Sequence, residues 1–448
     1  MYIKVCGNHT TGLYEGDNDL RKLEKRTKKI LSNGIMLMIF QVSKILFPLI
    51  TLPYLTRVLS LSCYGVVSYT KSVMTYMQIW VDFGFILSGT KAVVQNKDNK
   101  NRFNAIIGET QTARVMLGIS GFIIIEMLCL ALPILRGNQL FAVLSYVTVF
   151  LSIFLYDYLF RGLEKTHVIA IRFIIMKSIS TALTFVFVKS DSDILLIPLL
   201  DIISSIIAIV WVLLEVKKLD IQIKMPNIYN VWHSIQSSFI YFVSNAATSS
   251  FNALSTIVIG VLLKSEDVAY WSICMQIIGS ITACYNPICD SIYPAMIETR
   301  DYSFVKRIKR IFIPVILIGC ICLFLLSEFV LRTVGGKKYV LAQPTFIALI
   351  PVCFFAFLSM LQGWPCLGAI EKNKEVTNTT IISMSYNILA MIILAAVNRF
   401  TLQTLAIVRV STEILMFLTR YYYCVKYKSL FKGKLSIESI CNHVAFCM

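Results

Sequence analysis

Long hydrophobic stretches alternate with short polar segments along the whole chain. Each stretch is about as long as the roughly 20 residues that a helix needs to cross a bilayer. The pattern predicts about twelve membrane-spanning helices, six on each side of a basic linker. They lie near residues 33–56, 65–90, 115–135, 139–160, 168–188, 193–215, 236–262, 268–297, 311–331, 342–370, 378–397 and 402–424.

The linker divides the predicted helices into two lobes. We expect an all-α polytopic membrane protein whose two six-helix lobes surround a central cavity. The motif Val58-Leu59-x-x-Ser62 returns as Val261-Leu262-x-x-Ser265 between the first two helices of each lobe, which favours a parallel repeat. The predicted regions are a basic cytoplasmic tail (1–32), the first lobe (33–216), a cytoplasmic linker (217–233), the second lobe (234–425) and a cytoplasmic tail (426–448).

Composition and charge support a membrane protein. Of the 448 residues, 57% are hydrophobic and only 15% are charged, whereas soluble domains have about 25% charged residues. The net charge of +17 reflects the distribution of Lys and Arg: 30 of the 42 lie in the segments on the side of the tails, and 8 lie in the opposite loops. Positive residues mark cytoplasmic loops, so both termini are expected in the cytoplasm, and nucleic-acid binding is not expected.

No sequence motif points to a cofactor. The 13 cysteines show no metal-ligand spacing and most lie in apolar stretches, so they are interpreted as packing residues. No phosphate-binding glycine-rich loop is present, and no cofactor or metal is expected. The longest predicted outer loop is about ten residues, 332–341, and a polar loop is predicted on the other side at 91–114.

The first two predicted helices each carry polar residues along one face. Gln41 and Lys44 lie on the first helix, and Lys71, Gln78 and Asp82 recur at helical spacing on the second. A charge buried in lipid is costly, so such residues usually face a protein interior or a water-filled path. We therefore expect the three charged residues to face a substrate-binding cavity.

The remaining polar positions leave alternatives open. Asn245 and Asn252, on the seventh helix, and the glutamines either line the cavity or form hydrogen bonds between helices. Lys177 either faces the cavity or pairs with Asp157 or Asp201. Arg409 and Glu413 are spaced to neutralise each other or to take part in transport. The candidates for ion coupling are Asp82, Asp157, Asp201 and Asp290, because no histidine lies in the middle of a span.

Two sequence blocks resemble the Wzx-type polysaccharide-export flippases. The first is Leu52-Pro53-Tyr54-Leu55-Thr56-Arg57-Val58-Leu59, followed by Tyr64-Gly65 and by Val81-Asp82-Phe83-Gly84-Phe85. The second is Arg161-Gly162-Leu163-Glu164-Lys165, which is similar to a "QGLEK" turn with Arg161 in place of Gln. The resemblance covers about residues 33–425.

The resemblance implies the fold of the multidrug/oligosaccharidyl-lipid/polysaccharide exporters and alternating access. It implies a substrate, the undecaprenyl-pyrophosphate-linked oligosaccharide of O-antigen, capsule or exopolysaccharide synthesis, which is moved from the inner to the outer leaflet of the bacterial cytoplasmic membrane. Membrane lipid, a polysaccharide polymerase and chain-length proteins would be partners. Lys44, Lys71 and Lys177 have the charge that a pyrophosphate needs.

Two alternatives to a flippase are open. A multidrug exporter of the same superfamily moves cations and would need acidic, aromatic cavity walls, so the lysines disfavour it. A membrane polysaccharide polymerase or ligase would need catalytic residues, which such enzymes tend to place on sizeable outer loops, and the predicted outer loops are short. A non-enzymatic transporter is therefore the expectation.

Overall fold

The described residues form helices joined by short turns. The computed structural model describes residues 11–219, 221 and 226–431, with side chains from Asn33 onward except at 244 and 247–252. No β-strand occurs in these ranges. Twelve long helices run through them: α1 (Thr11–Val58), α2 (Leu61–Asp82), α3 (Lys100–Ala131), α4 (Gln139–Gly162), α5 (Thr166–Phe187), α6 (Asp191–Lys217), α7 (Ile228–Leu262), α8 (Ser265–Thr299), α9 (Tyr302–Leu325), α10 (Pro351–Gly368), α11 (Asn373–Ala396) and α12 (Leu402–Lys426).

Ten of the twelve helices in the described part are long and apolar enough to cross a membrane. The other two, α2 and α7, each carry several of the polar residues that the sequence singles out. The all-helical, two-lobed architecture expected from the sequence is confirmed. The tails at 1–10 and 432–448, and linker residues 220 and 222–225, lie outside the described residues.

Several helix ends differ from the prediction. Helix α2 stops at Asp82 instead of continuing to residue 90, because Phe83 (φ 39°) and Gly84 (φ 78°) adopt left-handed backbone. A Cβ at Gly84 would overlap Tyr241 and Phe242 of α7, so the close approach of α7 requires glycine there. A separate helix, Phe85–Asn96, follows the break.

Two segments predicted as loops are helical. The predicted polar loop at 91–114 is wrong: the helix Phe85–Asn96 and the start of α3 occupy it, with Asn99 capping α3 by accepting a hydrogen bond from the Arg102 N–H. The predicted loop at 332–341 is also wrong, since it lies within the short helices Ser327–Gly335 and Lys337–Ala342. Hydropathy missed both because amphipathic helices outside the apolar core lower the local average.

The two ends of the bundle differ in how the lobes meet. We call the end that carries residues 96–100, 163–166, 300–302 and 371–373 the basic end, and the end that carries 59–61, 188–191, 263–265 and 326–342 the opposite end. At the opposite end one hydrophobic core joins α1–α6, the first lobe, to α7–α12, the second lobe; it includes Tyr69, Ile125, Trp271 and Phe346. Towards the basic end each lobe has a core of its own.

Polar contacts also hold the opposite end together. Thr56 donates to the Val334 carbonyl at 2.9 Å, and Lys338 donates to the Leu59 carbonyl. Ser62 and Ser265 share a hydrogen bond of 2.8 Å between their hydroxyls. These serines occupy the same position in the two halves of the repeated Val-Leu-x-x-Ser motif, so equivalent residues of the two lobes meet there.

A second repeat appears in the turns at the basic end. Glu164 follows α4 and Glu371 follows α10, and both have left-handed backbone, with φ of 55° and 64°. The next N–H groups, of Lys165 and Lys372, donate to carbonyls five residues back, at 2.8 and 2.9 Å. This is the hydrogen-bond pattern of a Schellman C-cap. The matching turns support two lobes built on one plan.

At the basic end the two lobes meet through a smaller hydrophobic cluster. It consists of Phe83, Phe85, Ala113 and Leu117 of the first lobe and Val231 of α7. Phe83 stacks on Phe242 of α7 with ring centroids 4.5 Å apart, and Ser88 shares a hydrogen bond of 2.7 Å with Ser238. Elsewhere at this end the lobes have the separate cores described above. The bundle is therefore most firmly closed at the opposite end.

Candidate functional site

A cavity of about 330 Å³ lies within the first lobe, between α1, α2, α4, α5 and α6. Its walls combine apolar side chains with hydroxyl and charged groups. The polar lining consists of Lys44, Thr51, Lys71, Ser145, Thr148, Lys177, Ser180, Thr181, Thr184 and Asp201, and the aromatic lining of Phe47, Phe141 and Phe173. The structure thus brings Lys44, Lys71 and Lys177 to one space, but inside a lobe rather than between the lobes.

Of the three cavity lysines, Lys71 has the fewest contacts with other side chains. It lies on α2 and its side chain is exposed, whereas the nearby α2 residues Thr70 and Val73 are buried. Within the described residues its ammonium forms neither an ion pair nor a hydrogen bond. A cation in this setting favours an anionic ligand, since its charge is not neutralised by a bonded partner.

Lys44 approaches the cavity from α1. Its ammonium lies 4.9 Å from the centre of the Phe40 ring, a cation–π contact. The charged groups that act on it include Arg161 and Asp157, near the basic end. Lys44 therefore lies between the cavity and the charged residues Arg161 and Asp157.

Lys177 is paired with one of the two partners considered from the sequence. Its Nζ lies 2.9 Å from Oδ1 of Asp201, on the neighbouring helix α6. The Ser180 hydroxyl donates to the same oxygen at 2.7 Å. The pair is not sealed off, because 31% of the Lys177 side chain and 28% of the Asp201 side chain are exposed. A ligand in the cavity could therefore reach both groups.

Asp82 and Gln78 lie in a different cluster. Asp82 forms an ion pair of 2.7 Å with Arg114 of α3, and only 4% of the arginine side chain is exposed. Gln78 donates to Asp82 Oδ2 at 2.9 Å and to the Ser152 hydroxyl at 3.0 Å. Neither side chain lines the cavity. For Gln78 the geometry favours the interpretation as a hydrogen bond between helices.

The other candidates are spread over the molecule. Asp157 contacts Arg172 at 2.9 Å. Asp290 is exposed on α8 of the second lobe, and Gln41 is exposed on α1 outside the cavity lining. Asn245 is half-buried on α7, and the side chain of Asn252 lies outside the described residues. Arg409 and Glu413 form an ion pair of 2.8 Å, which favours mutual neutralisation among the two alternatives left open by the sequence.

Sequence reasoning missed the arginines inside the helices. Arg114 was assigned to the loop 91–114, and Arg172 and Arg420 were counted with the cytoplasmic segments at the ends of their helices, but all three are buried in helices. Arg420 donates to the Ser359 carbonyl at 2.8 Å. The sequence does contain a signal for them. Each of these arginines borders an apolar stretch, so the helix predicted from that stretch can be extended to include it. The hydroxyl groups of α4, Ser145 and Thr148, were also missed, although their spacing of three places both on one face.

The cavity is suited to an anion. Its lining carries three ammonium groups and one carboxylate, a net charge of +2. Charges interact strongly where the surroundings exclude water. The interaction energy of two unit charges 4 Å apart is about 4 kcal/mol at an effective dielectric constant of 20. Hydroxyl groups around the cavity offer donors and acceptors for a polar ligand. In the part of the chain that the structure describes, no group of three His, Cys, Asp or Glu side chains could hold a metal ion.

The fold is the one seen in two solved structures of membrane transporters. Over 88% of this chain and 87% of the other, it superposes on a lipid II flippase MurJ in an inward closed conformation, with a TM-score of 0.70 and 12% identity. Over 89% of this chain and 99% of the other, it superposes on an inward-facing multidrug resistance MATE family transporter of the MOP superfamily, with a TM-score of 0.65 and 12% identity. The chain has the two-lobed fold of these transporters.

The sequence identifies the family within that class. The polysaccharide biosynthesis protein family matches residues 30–300, and the chain belongs to this family. Two relatives carry the name "Putative O-antigen transporter". The one from Escherichia coli (strain K12) is 25% identical over 78% of this chain and 86% of its own length. The one from Shigella dysenteriae is 26% identical over 69% of this chain and 79% of its own length.

Proposed function

We propose that this protein is a flippase that moves an undecaprenyl-pyrophosphate-linked oligosaccharide from the inner to the outer leaflet of the bacterial cytoplasmic membrane. The product serves surface polysaccharide synthesis. The observation that carries the proposal is the convergence of Lys44, Lys71 and Lys177 on one cavity of a chain in the polysaccharide biosynthesis protein family. The names of the relatives and the fold of the lipid II flippase support it.

The cavity supplies what the headgroup needs. A pyrophosphate cannot cross hydrocarbon without compensation of its charge, because an isolated charge in a medium of low dielectric constant is very costly. Lys71 is available to it, and Lys177 is within reach once its contact with Asp201 loosens. The isoprenoid tail stays in the membrane while the charged part of the headgroup occupies the cavity of the first lobe.

The way in which the lobes are joined supports alternating access. We assign the basic end to the cytoplasm by the distribution of positive charge. The larger shared core at the opposite end then closes the outer side. On the inner side only the smaller cluster between α7 and the first lobe joins the otherwise separate cores, which favours access from that side. Rocking of the lobes would break the contacts at the opposite end and expose the headgroup to the outer side.

The lysines disfavour drug export as the main function. A multidrug exporter for cations would face repulsion from three ammonium groups around one cavity. The likeness to a MATE transporter at 12% identity concerns the fold. A deletion strain that is drug-sensitive but has normal surface polysaccharide would reverse this ranking.

The test is the position of the lipid-linked oligosaccharide in cells that lack the protein. Leaflet-selective labelling should find it accumulated on the inner leaflet, and the wild-type gene should restore its transfer. Lys71→Ala should reduce transfer by about tenfold or more, since a hydrogen bond to a charged group is worth about 1.5–3 kcal/mol. Lys71→Arg should retain more transfer, because the charge is kept.

Thr75→Ala is the matched control for this experiment. Thr75 is exposed on α2, one turn from Lys71, and does not line the cavity. Its replacement should leave transfer unchanged. Normal arrival of the oligosaccharide on the outer leaflet without the protein would reject the flippase function. Full activity of Lys71→Ala would reject the role of the cationic cavity but would leave the flippase function standing.

A further inference from the structure

The cavity of the first lobe contains a carboxylate that an anion site would not be expected to have. Asp201 lies on its wall together with three lysines. Two donors fix it there, the Lys177 ammonium at 2.9 Å and the Ser180 hydroxyl at 2.7 Å, both to Oδ1. A carboxylate this close to an anionic ligand repels that ligand. We therefore look for a role of Asp201 other than tight binding.

The net charge of the cavity matches one particular ligand. Three ammonium groups and one carboxylate leave a charge of +2. A pyrophosphate that is esterified at both ends carries one negative charge on each phosphorus, and so is a dianion. A phosphate diester is a monoanion. Only the dianion would be neutralised in full by this cavity.

The size of the cavity points the same way. Its volume of about 330 Å³ is at the lower end of the range of about 300–1,000 Å³ for small-molecule pockets. A diphosphate with its nearest substituents is a ligand of that scale, whereas a whole oligosaccharide is not. The rest of the headgroup would lie outside this cavity, so the charged part is what the cavity selects.

We propose that Asp201 sets the charge of this cavity to match one pyrophosphate diester and allows its release after transfer. The inference rests on the proposed function. The diphosphate competes with Asp201 for the Lys177 ammonium, and the ion pair forms again when the ligand leaves. Asp201 thus acts as a built-in counter-ion that prevents the lysines from holding the headgroup too tightly.

Four forms of the full-length protein in lipid nanodiscs test this role. The wild type has a cavity charge of +2, Asp201→Asn raises it by one, and Lys71→Met lowers it by one. The double variant Lys177→Met with Asp201→Asn removes one charge of each sign and keeps the net charge. The probes are a C15 isoprenyl pyrophosphate and a C15 isoprenyl phosphate, each linked to N-acetylglucosamine, with affinities from titration calorimetry and flipping rates from proteoliposomes.

The ratio of the two affinities should follow the net charge. The wild type should prefer the pyrophosphate probe by about tenfold, Lys71→Met should lose most of that preference, and Asp201→Asn should increase it while flipping several-fold more slowly. The double variant should bind both probes more weakly, because it lacks the Lys177 donor, but should keep the wild-type ratio. Thr75→Ala should match the wild type in every measurement.

Two results would overturn the role of Asp201 while the flippase function stands. One is an Asp201→Asn protein with unchanged ratio and unchanged flipping rate. The other is a double variant whose ratio falls to that of Lys71→Met, which would mean that the Lys177 site and not the net charge selects the ligand. A wild-type protein that neither binds nor flips the pyrophosphate probe would instead overturn the proposed function, and the inference with it.

Discussion

Charged side chains inside the first lobe fall into two groups with different consequences. Lys71 and Lys177 line a cavity, and their side chains are at least partly exposed. Asp82 is held by Arg114, which is almost completely buried. A charge in the middle of a predicted span can be identified from the sequence, so Lys71, Lys177 and Asp82 could be singled out, whereas Arg114 lay at the edge of a predicted loop and was missed. Whether a charge faces a cavity or a partner depends on the neighbouring helix, which one sequence does not show.

The Asp82–Arg114 pair should act mainly on stability. Removing one member of a buried ion pair leaves an uncompensated charge and typically costs about 3–5 kcal/mol. We therefore expect Asp82→Ala to lower the melting temperature in detergent markedly, and Arg114→Met in the same protein to recover most of the loss. Thermal unfolding followed by circular dichroism measures both.

Asp290→Ala provides the comparison, since Asp290 is an exposed carboxylate on α8. Its replacement should leave the melting temperature nearly unchanged. If Asp82→Ala instead kept the wild-type melting temperature but abolished flipping, Asp82 would belong to the substrate path, as the sequence first suggested.

Helices as elements were predictable in number and order, but not in their ends. Long apolar stretches identify spans because the bilayer sets their length. The break at Phe83-Gly84 and the helix Phe85–Asn96 depend on the approach of α7, a contact that hydropathy does not report. The helix Ser327–Gly335 was missed for a related reason, since it lies at the end of the bundle and has a mixed composition.

The contact between α2 and α8 gives a prediction for a single glycine. A Cβ at Gly65 would overlap the backbone carbonyl of Ser265, which cannot move aside as a side chain could. Gly65→Ala should therefore push α2 away from α8 and cost about 1–3 kcal/mol, a typical penalty for overpacking. The thermal unfolding of the purified protein measures the loss.

Gly279→Ala on α8 is the matched control, because no atom lies within 4 Å of a Cβ added there. It should be neutral or slightly stabilising, since alanine favours the helix. Equal melting temperatures for the two variants would show that the lobes are not in close contact at Gly65.

For the whole molecule, the two lobes were predictable from the twelve stretches and the repeated motif. The position of the cavity was not. Sequence reasoning put the polar faces between the lobes, whereas Lys44, Lys71 and Lys177 meet inside the first lobe. The reason is that α5 and α6, which complete the cavity, are apolar apart from a few residues, and only their packing shows which side those residues face.

The contact between the lobes at the opposite end can be made covalent to test whether this end must open during transport. Ser62 and Ser265 lie in different lobes with their hydroxyls 2.8 Å apart, so Ser62→Cys with Ser265→Cys should form a disulfide. Cys63→Ala is included to remove the neighbouring thiol. The oxidised protein should be unable to open this end, and the reduced protein should work.

The most direct test of the flippase function uses this locked protein in liposomes that contain the lipid-linked oligosaccharide. Transfer between leaflets is measured by access of an added enzyme to the sugar. The account predicts that the wild type transfers the lipid, that the double-cysteine protein does so only after reduction, and that Lys71→Ala does so at least about tenfold more slowly. Liposomes with wild-type protein that transfer no more lipid than protein-free liposomes would contradict the account.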